Sequence, residues 1–173
     1  MGRHLYLTGF MGAGKTAVGR ALAELLERPF VDLDEQLEVR AGMPIRAIFA
    51  ERGEVGFRDL ESAALRRLDQ EPAMVVATGG GVLTLAENRE WMRDHGTTVW
   101  LDVPFDVLLA RLGQRDRDAR PLFESESKAR HLYVMRRGQY GDSDLRIEVL
   151  SSDSVATVAA KIHRLLLEEE CDI

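Results

Sequence analysis

An eight-residue pattern near the start of the chain constrains the fold more than any other feature. Residues 9–16 read Gly-Phe-Met-Gly-Ala-Gly-Lys-Thr, which fits G-x-x-x-x-G-K-[ST]. An apolar strand is predicted before the pattern at residues 5–8, and a helix with periodic apolar residues after it at 14–27. Such a loop surrounds phosphate oxygens with backbone amides at a helix N-terminus. The pattern predicts a nucleotide site in which Lys15 contacts the β- and γ-phosphates and Thr16 binds Mg²⁺.

The rest of the chain alternates short apolar strands with helical patterns. Further strands are predicted at residues 30–34, 74–78, 98–103 and 145–149. Further helices are predicted at about residues 35–67 (in pieces interrupted at Gly42, Pro44 and Gly53), 85–94, 106–112, 127–140 and 155–169. This alternation predicts an α/β three-layer sandwich with a five-stranded parallel sheet. Ligands in such sheets bind at the carboxyl ends of the strands, where every motif below falls.

Composition narrows the class of protein. A chain of 173 residues is the size of one domain. Its net charge of −6 argues against nucleic-acid binding, which depends on many cationic contacts with phosphate. The single cysteine, Cys171, excludes an intramolecular disulfide and fits a reducing compartment. Neither a signal-peptide pattern nor an apolar run long enough to cross a membrane is present, so we expect no membrane association and a cytoplasmic location.

Two aspartates, Asp32 and Asp34, fall in the second predicted strand. On an extended strand, side chains two residues apart point to the same side. Aspartate is disfavoured in strands, so the pair predicts one carboxylate near Mg²⁺ and one near an acceptor hydroxyl. Alternatively, Asp34 caps the helix that follows. Proteins with such a phosphate loop usually have an acidic metal ligand at the end of the third strand, but no aspartate ends that strand here. Asp32 is therefore the predicted substitute.

The third strand is followed by three consecutive glycines, at residues 79–81. Glycines permit close approach of the backbone to a ligand, although a tight turn from strand to helix would also use them. Four arginines are further candidates, namely Arg58, Arg111, Arg120 and Arg136. Arginine binds carboxylate and phosphate groups in bidentate fashion, and phosphoryl transfer needs cationic stabilisation. Most arginines are nevertheless solvated surface charges, and spacing alone does not show that these four converge.

These motifs together resemble the shikimate kinase family. A regulatory GTPase is disfavoured, because neither Asn-Lys-x-Asp nor Asp-x-x-Gly is present. The resemblance covers about residues 4–165, with the motifs in the family's order and approximate spacing. The motifs are Gly9 to Thr16, Asp32-x-Asp34, Phe57-Arg58-x-x-Glu61, Gly79-Gly80-Gly81, Arg120-Pro121-Leu122 and Arg136-x-x-x-Tyr140.

The resemblance implies transfer of the γ-phosphoryl group of ATP to the 3-hydroxyl of shikimate, with Mg²⁺ as cofactor and ATP, ADP and shikimate as the partners. It also implies the strand order 2-3-1-4-5 of nucleoside monophosphate kinases. The helical segment at about residues 35–67 would bind shikimate, and a mobile lid at about 113–126 would close over ATP. Lid closure would expel water from the site.

The resemblance also implies roles for individual residues. The catalytic residues would be Lys15, Asp34 and Arg120. The metal site comprises Thr16 and Asp32. The shikimate site comprises Asp34, Arg58, Gly80, Gly81 and Arg136, with the two arginines on the carboxylate. The ATP site comprises Gly12, Ala13, Gly14, Lys15, Thr16, Ala17, Arg111, Arg120 and Ser154, with Arg111 and the stretch around Ser154 beside the adenine.

Some positions depart from the family pattern. Phe123 stands where a second leucine is usual, and Arg117 competes with Arg120 for the phosphate-facing role. Arg137 creates a similar ambiguity beside Arg136, which we favour for its distance to Tyr140. Other kinases, for gluconate or a nucleoside monophosphate, are the first alternative. A catalytically silent nucleotide-binding protein is the second. We expect a monomer, since no long apolar segment stands out.

Overall fold

The computed structural model describes residues 4–113 and 125–171. In this part of the chain, five strands form one sheet, and all of its strand pairs are parallel. The strands are β1 (His4–Thr8), β2 (Phe30–Asp32), β3 (Val75–Ala77), β4 (Gly96–Asp102) and β5 (Leu145–Glu148). Their spatial order is β2-β3-β1-β4-β5. The predicted fold class and the strand order 2-3-1-4-5 are confirmed.

Seven helices cover the two faces of this sheet in the described ranges. They are α1 (Lys15–Leu25), α2 (Leu33–Ala41), α3 (Ile45–Arg67), α4 (Ala86–His95), α5 (Phe105–Arg111), α6 (Glu126–Tyr140) and α7 (Val155–Cys171). Helix α1 packs against α7, and α3 packs against α4. The predicted interruption at Gly53 is confirmed as a kink within α3, where φ is 68° and ψ is −177°.

Strand β1 lies at the centre of the sheet between β3 and β4, and all five of its side chains are buried. Burial on both faces explains its continuous apolar run, since helices cover both sides of a parallel sheet. Leu7 pairs with Ala77 on one side and with Val99 on the other. This register brings the carboxyl ends of β1, β3 and β4 to the same edge, where the loops that follow can form one site.

The prediction of a second strand over residues 30–34 is wrong at its end. Strand β2 stops at Asp32, and helix α2 begins at the next residue, Leu33. The side chain of Asp32 accepts hydrogen bonds from the backbone amides of Asp34 and Glu35, at 3.0 and 3.3 Å. This N-cap satisfies amides that the first helical turn leaves without partners, and it therefore starts the helix two residues early.

No helix in the described part of the chain combines the length and apolar character that crossing a membrane requires.

Candidate active site

The glycine-rich loop connects β1 to α1 at the centre of the sheet edge. Gly9, Gly12 and Gly14 all have positive φ angles, of 138°, 79° and 90°, which side chains rarely tolerate. Lys15, the first residue of α1, donates from Nζ to the carbonyls of Gly9 and Phe10, at 2.9 and 3.1 Å. The ammonium group thus lies across the mouth of the loop. An anion inside the loop would meet this cation and the N-terminus of α1.

Thr16 and Asp32 meet across the gap between α1 and the end of β2. The Thr16 hydroxyl donates to Asp32 Oδ2 at 2.6 Å, while Asp32 Oδ1 caps α2. A hydroxyl and a carboxylate beside a phosphate loop are hard oxygen ligands of the kind that Mg²⁺ prefers. Among residues 4–113 and 125–171, no group of three or more His, Cys, Asp or Glu side chains is arranged to hold a metal. A Mg²⁺ ion here would therefore take further oxygens from a bound nucleotide and water.

The two aspartates do not share an extended strand, as the sequence analysis expected. Asp32 ends β2 and caps the helix, whereas Asp34 lies in the first turn of α2. The alternative that Asp34 is the cap is also wrong, since Asp32 performs that task. The turn redirects Asp34 toward the triple glycine, with Oδ1 only 3.0 Å from the place that a Cβ on Gly79 would occupy. Asp32 contacts Thr16 at the end of the phosphate loop, so the two carboxylates lie at different places along the sheet edge.

Arg58 is buried on α3 and is held by an acidic partner on the same helix. Its guanidinium donates to Glu61 Oε2 at 2.7 Å and to Glu54 Oε1 at 3.4 Å. Glu61 is fully buried, and this burial raises the pKa of its carboxyl, with the Arg58 charge opposing the change. The motif Phe57-Arg58-x-x-Glu61 included Glu61 without a role for it. Its spacing of three residues from Arg58 on one helix was the signal for the pair.

The three glycines after β3 leave room for the charged groups around them. A Cβ on Gly79 would overlap the carboxylate of Glu61, and a Cβ on Gly81 would overlap the guanidinium of Arg58. The glycines therefore do more than turn the chain from strand to helix. They allow the backbone to approach the acidic and basic side chains closely, as proposed for a ligand-binding turn.

Arg136 approaches the same turn from α6. It is buried, with only 4% of its surface exposed, and its Nη1 lies 3.6 Å from the place of a Cβ on Gly80. Burial lowers the pKa of the Arg136 guanidinium, and Tyr140 and Glu61 partly offset the effect. Its Nε has no hydrogen-bond partner among the described residues. Such a buried cationic donor is expected to bind an anion or a polar group of a ligand.

Arg137 faces away from this turn, so the two adjacent arginines have different environments. It donates to Asp102 Oδ2 at 2.8 Å and to the Tyr133 hydroxyl at 3.0 Å. Asp102 also accepts from Arg146, at 2.6 Å. Neighbouring residues on a helix project about 100° apart, so the ion pair with Asp102 helps to set which arginine faces the glycine turn. The structure thus brings Arg136, rather than Arg137, to the cluster.

The residues predicted for the adenine side lie at the other end of this sheet edge. Arg111 is exposed at the end of α5, and Ser154 caps α7, its hydroxyl accepting from the Thr157 amide at 3.1 Å. The pKa of neighbouring Asp153 is lowered by a hydrogen bond from Lys161 and, to a smaller extent, by the charge of Arg111. Ala17 is exposed in the first turn of α1.

The predicted lid falls almost entirely outside the described residues. Helix α5 ends at Arg111 and α6 begins at Glu126. Arg120, the competing Arg117 and Phe123 all lie in the segment that is not described. The choice between the two lid arginines stays a prediction from sequence.

The fold and the loop define the class of this protein. A parallel sheet of order 2-3-1-4-5, with a glycine-rich loop after its central strand and Lys15 and Thr16 at the start of the next helix, is the architecture of a P-loop kinase. The shikimate kinase family model matches residues 11–167. The chain belongs to the shikimate kinase family.

Individual relatives agree with this assignment. The chain is 45% identical over 169 residues to the shikimate kinase of Synechococcus sp. strain CC9605, covering 95% of this chain and 83% of that protein. The solved structure of shikimate kinase from Acinetobacter baumannii in complex with shikimate superposes with a TM-score of 0.91 at 40% identity, covering 98% of this chain and 95% of that one. A gluconokinase from Sinorhizobium meliloti, with 19% identity and a TM-score of 0.60, covers 98% and 97% of the two chains and shares the fold alone.

Proposed function

We propose that this protein transfers the γ-phosphoryl group of ATP to the 3-hydroxyl of shikimate, yielding shikimate 3-phosphate and ADP. One observation carries the proposal. Two buried arginines, Arg58 and Arg136, reach the triple-glycine turn from different helices, and this turn adjoins the phosphate loop. The place of a Cβ on Gly80 is 3.6 Å from both Gly9 O and Met11 N of that loop. An anionic acceptor held there would have its reactive group beside the ATP phosphates.

The charges of the acceptor site favour a small polyhydroxy carboxylate. Arg58 already has Glu61 as a partner, whereas Arg136 pairs with no carboxylate in the described part of the chain. The cluster of two arginines with Glu61 and Asp34 has a formal charge of zero, so a ligand carboxylate would bind mainly through directed hydrogen bonds. Shikimate has one carboxylate for the arginines and three hydroxyls for Asp34 and backbone groups of the glycine turn.

The ATP side of the reaction uses the phosphate loop. Lys15 would move from the loop carbonyls to the β- and γ-phosphates, with backbone amides of residues 12–17 around them. Thr16 and Asp32 would hold Mg²⁺, which neutralises charge on the transferring group. Arg120 from the proposed lid would add positive charge to the phosphates. Arg111 and Ser154 would border the adenine.

The acceptor hydroxyl must lose its proton as the new phosphorus–oxygen bond forms and the bond to ADP breaks. Asp34 is the proposed acceptor of that proton, because its Oδ1 lies 3.0 Å from the place of a Cβ on Gly79, in the turn proposed to hold the acceptor. Charge spread over the transferring group is stabilised by Lys15. Since phosphoryl transfer depends mainly on positioning and electrostatics, this set of groups is sufficient for the reaction.

A coupled assay of ADP release with ATP and Mg²⁺ tests the proposal. Shikimate, gluconate, AMP and no acceptor are compared at equal concentrations, and the product is identified by phosphorus NMR. We expect strong stimulation by shikimate alone. Turnover with gluconate or AMP and none with shikimate would leave the fold and the ATP site unchanged but would overturn the assignment of Asp34, Arg58 and Arg136.

The working unit is proposed to be a monomer, in which the lid at about residues 113–126 moves freely. Light scattering at micromolar concentration is the test, and a stable dimer would contradict it. The cytoplasmic location also stays a prediction from the sequence.

A further inference from the structure

Tyr140 is a buried phenol at the last residue of α6, one helical turn after Arg136. Only 2% of its surface is exposed, and its hydroxyl donates to the carbonyl oxygen of Gly80 at 2.5 Å. Arg136 approaches the same glycine, with Nη1 3.6 Å from the place of a Cβ on Gly80, and its charge opposes the rise that burial causes in the pKa of Tyr140. Because a guanidinium has only donors, the phenol oxygen, whose proton goes to Gly80, has lone pairs left to accept from Arg136.

The phenol therefore binds the glycine turn next to Arg136, and the proposed acceptor would contact both. Arg136 can only donate and the Gly80 carbonyl can only accept, so a bridge between them must do both. A hydroxyl meets this requirement, and the tyrosine ring supplies it from the end of α6. Gly80 in turn lies against the phosphate loop, near Gly9 O and Met11 N. One hydroxyl thus joins α6, the glycine turn and, through that turn, the phosphate loop.

A phenol orients Arg136 without cancelling its charge. A carboxylate at position 140 would form an ion pair with the guanidinium and compete with an anionic ligand. Burial raises the pKa of Tyr140 to about 12, so the phenol keeps its proton and stays neutral across the physiological range. Arg58, by contrast, already has the carboxylate of Glu61. Of the two arginines, Arg136 is therefore the one that pairs with no carboxylate among the described residues.

We propose that Tyr140 is a positioning residue of the acceptor site, which holds the Arg136 guanidinium and the Gly80 carbonyl in the arrangement that recognises the carboxylate of the acceptor. This inference rests on the proposed function. Tyr140 does not touch the reacting atoms, and its contribution is made through Arg136 and Gly80. It determines selectivity for a carboxylate-bearing acceptor over a neutral one.

The test replaces the hydroxyl alone, in the full-length protein. Tyr140→Phe keeps the ring, whose packing against Trp100 at a centroid distance of 6.0 Å does not need the hydroxyl. Tyr133→Phe is the matched control. Tyr133 is also a buried tyrosine on α6, and its hydroxyl also donates to a backbone carbonyl, that of Val103 at 3.0 Å. Both variants lose one buried hydroxyl, but of the two only the Tyr140 hydroxyl donates to Gly80, the residue that Arg136 approaches.

Four quantities are measured for each protein: Kd for shikimate, Kd for ADP, kcat, and Kd for the analogue of shikimate in which a hydroxymethyl group replaces the carboxylate. In Tyr140→Phe, we expect Kd for shikimate to rise about tenfold or more, as for loss of a hydrogen bond to a charged group. Kd for ADP and for the neutral analogue should change by less than about twofold, within the scatter of near-neutral substitutions. The ratio of Kd for the neutral analogue to Kd for shikimate, which measures the preference for a carboxylate, should therefore fall. Tyr133→Phe should keep the wild-type preference.

Three results would overturn the inference. The first is an unchanged carboxylate preference in Tyr140→Phe, and the second is equal weakening of shikimate and ADP. The third is failure of Tyr140→Phe to fold while Tyr133→Phe folds, because the hydroxyl would then serve the fold rather than the site. Failure of the proposed function is a separate result, since wild-type protein would then show no turnover with shikimate in the presence of ATP and Mg²⁺.

Discussion

The hydroxyl of Thr16 donates to the carboxylate of Asp32 over 2.6 Å, and this bond joins the first turn of α1 to the end of β2. The same carboxylate caps α2 through its other oxygen. Asp32 thus serves the fold with one oxygen and the proposed metal site with the other. With nucleotide bound, Thr16 and Asp32 would help to hold Mg²⁺, which would supply positive charge to the phosphates.

Replacement of Asp32 by asparagine separates these two tasks. Asparagine is an equally good N-cap, so Asp32→Asn should fold with nearly unchanged thermal stability. It lacks the charge that attracts Mg²⁺, and we expect the half-saturating Mg²⁺ concentration to rise about tenfold or more. Kinetics at a series of Mg²⁺ concentrations are the measurement. Glu35→Gln is the control, because Glu35 pairs with Arg20 on the exposed surface. Equal effects of the two substitutions would contradict a metal role for Asp32.

Asp34 is assigned to the acceptor side, and Asp34→Asn should affect turnover rather than nucleotide binding. We expect kcat to fall about 10²- to 10⁴-fold, the usual contribution of a positioned acid–base group. Kd for ADP, measured by calorimetry, should stay within about twofold of the wild-type value, since near-neutral substitutions change little. If nucleotide affinity collapsed together with kcat, the division of labour between Asp32 and Asp34 would be wrong.

Arg136 and Arg137 are adjacent in sequence, which makes them a natural pair of test variants. Arg136→Ala should raise Kd for shikimate about tenfold to a hundredfold, because a buried charged donor is lost from the site. Arg137→Ala removes one of two arginines from the buried carboxylate of Asp102 and should cost about 1–2 kcal/mol of unfolding free energy, with Kd for shikimate unchanged. Denaturant titration and shikimate binding are measured on both. If Arg137→Ala weakened shikimate binding and Arg136→Ala did not, Arg137 would be the arginine that faces the acceptor.

Glu61 and Glu54 both pair with Arg58, but only Glu61 is buried. Glu61→Gln should weaken shikimate binding, because the neutral amide positions Arg58 less firmly, while Glu54→Gln should not. A pH series adds a second readout. Burial raises the pKa of Glu61 from the ordinary value of 4.5, so the unfolded state loses its proton first as pH rises. Relative to Glu61→Gln, the wild-type protein should therefore lose unfolding free energy from about pH 4.5 upward until the raised pKa is passed. If the difference in unfolding free energy between wild type and Glu61→Gln did not change with pH, this expectation would be contradicted.

The buried ring of His4 should lower the unfolding free energy of the protein in mild acid. Its Nε2 lies 3.0 Å from Leu68 O, and its Nδ1 accepts from the Met74 amide at 3.4 Å, so the buried ring is neutral. Burial lowers the pKa of His4 from 6.5, with further lowering by His95 and Arg28, while the hydrogen bond to Leu68 and the charge of Asp69 oppose the change. The unfolded state therefore binds the proton first, and unfolding free energy should fall as pH drops from about 6.5 through the lowered pKa. Urea titrations at a series of pH values between 5 and 8 measure this change. In such titrations the unfolding free energy of a small protein falls by about 1–3 kcal/mol per molar urea.

His4→Gln provides the comparison for that series. Glutamine can still donate to Leu68 O but takes up no proton, so the pH dependence attributed to His4 should disappear. Persistence of the same slope in His4→Gln would assign it to other groups.

Local sequence patterns predicted most of the fold and the position of the phosphate loop in it. The glycine-rich loop was recognisable because its residues perform their task within eight consecutive positions, between a strand and a helix that carry their own periodicity. The strands were recognisable because burial on both faces demands continuous apolar runs. The end of β2 was not predictable by periodicity, because the Asp32 cap depends on a turn that competes with continued extension.

The acceptor site was harder to predict, because it is formed by contacts between residues that are far apart in the chain. The sequence by itself determined the phosphate loop, the parallel sheet and the family resemblance, because these rest on local spacing and the burial of apolar faces. Only the tertiary structure showed which contacts these residues make. Arg137 pairs with Asp102 and leaves Arg136, which the sequence already favoured, at the glycine turn. Glu61 holds Arg58, and the Tyr140 hydroxyl donates to Gly80. Those contacts are set by packing of α3 and α6 around the turn, since directions of side chains on separate elements follow from three-dimensional packing and not from sequence distance.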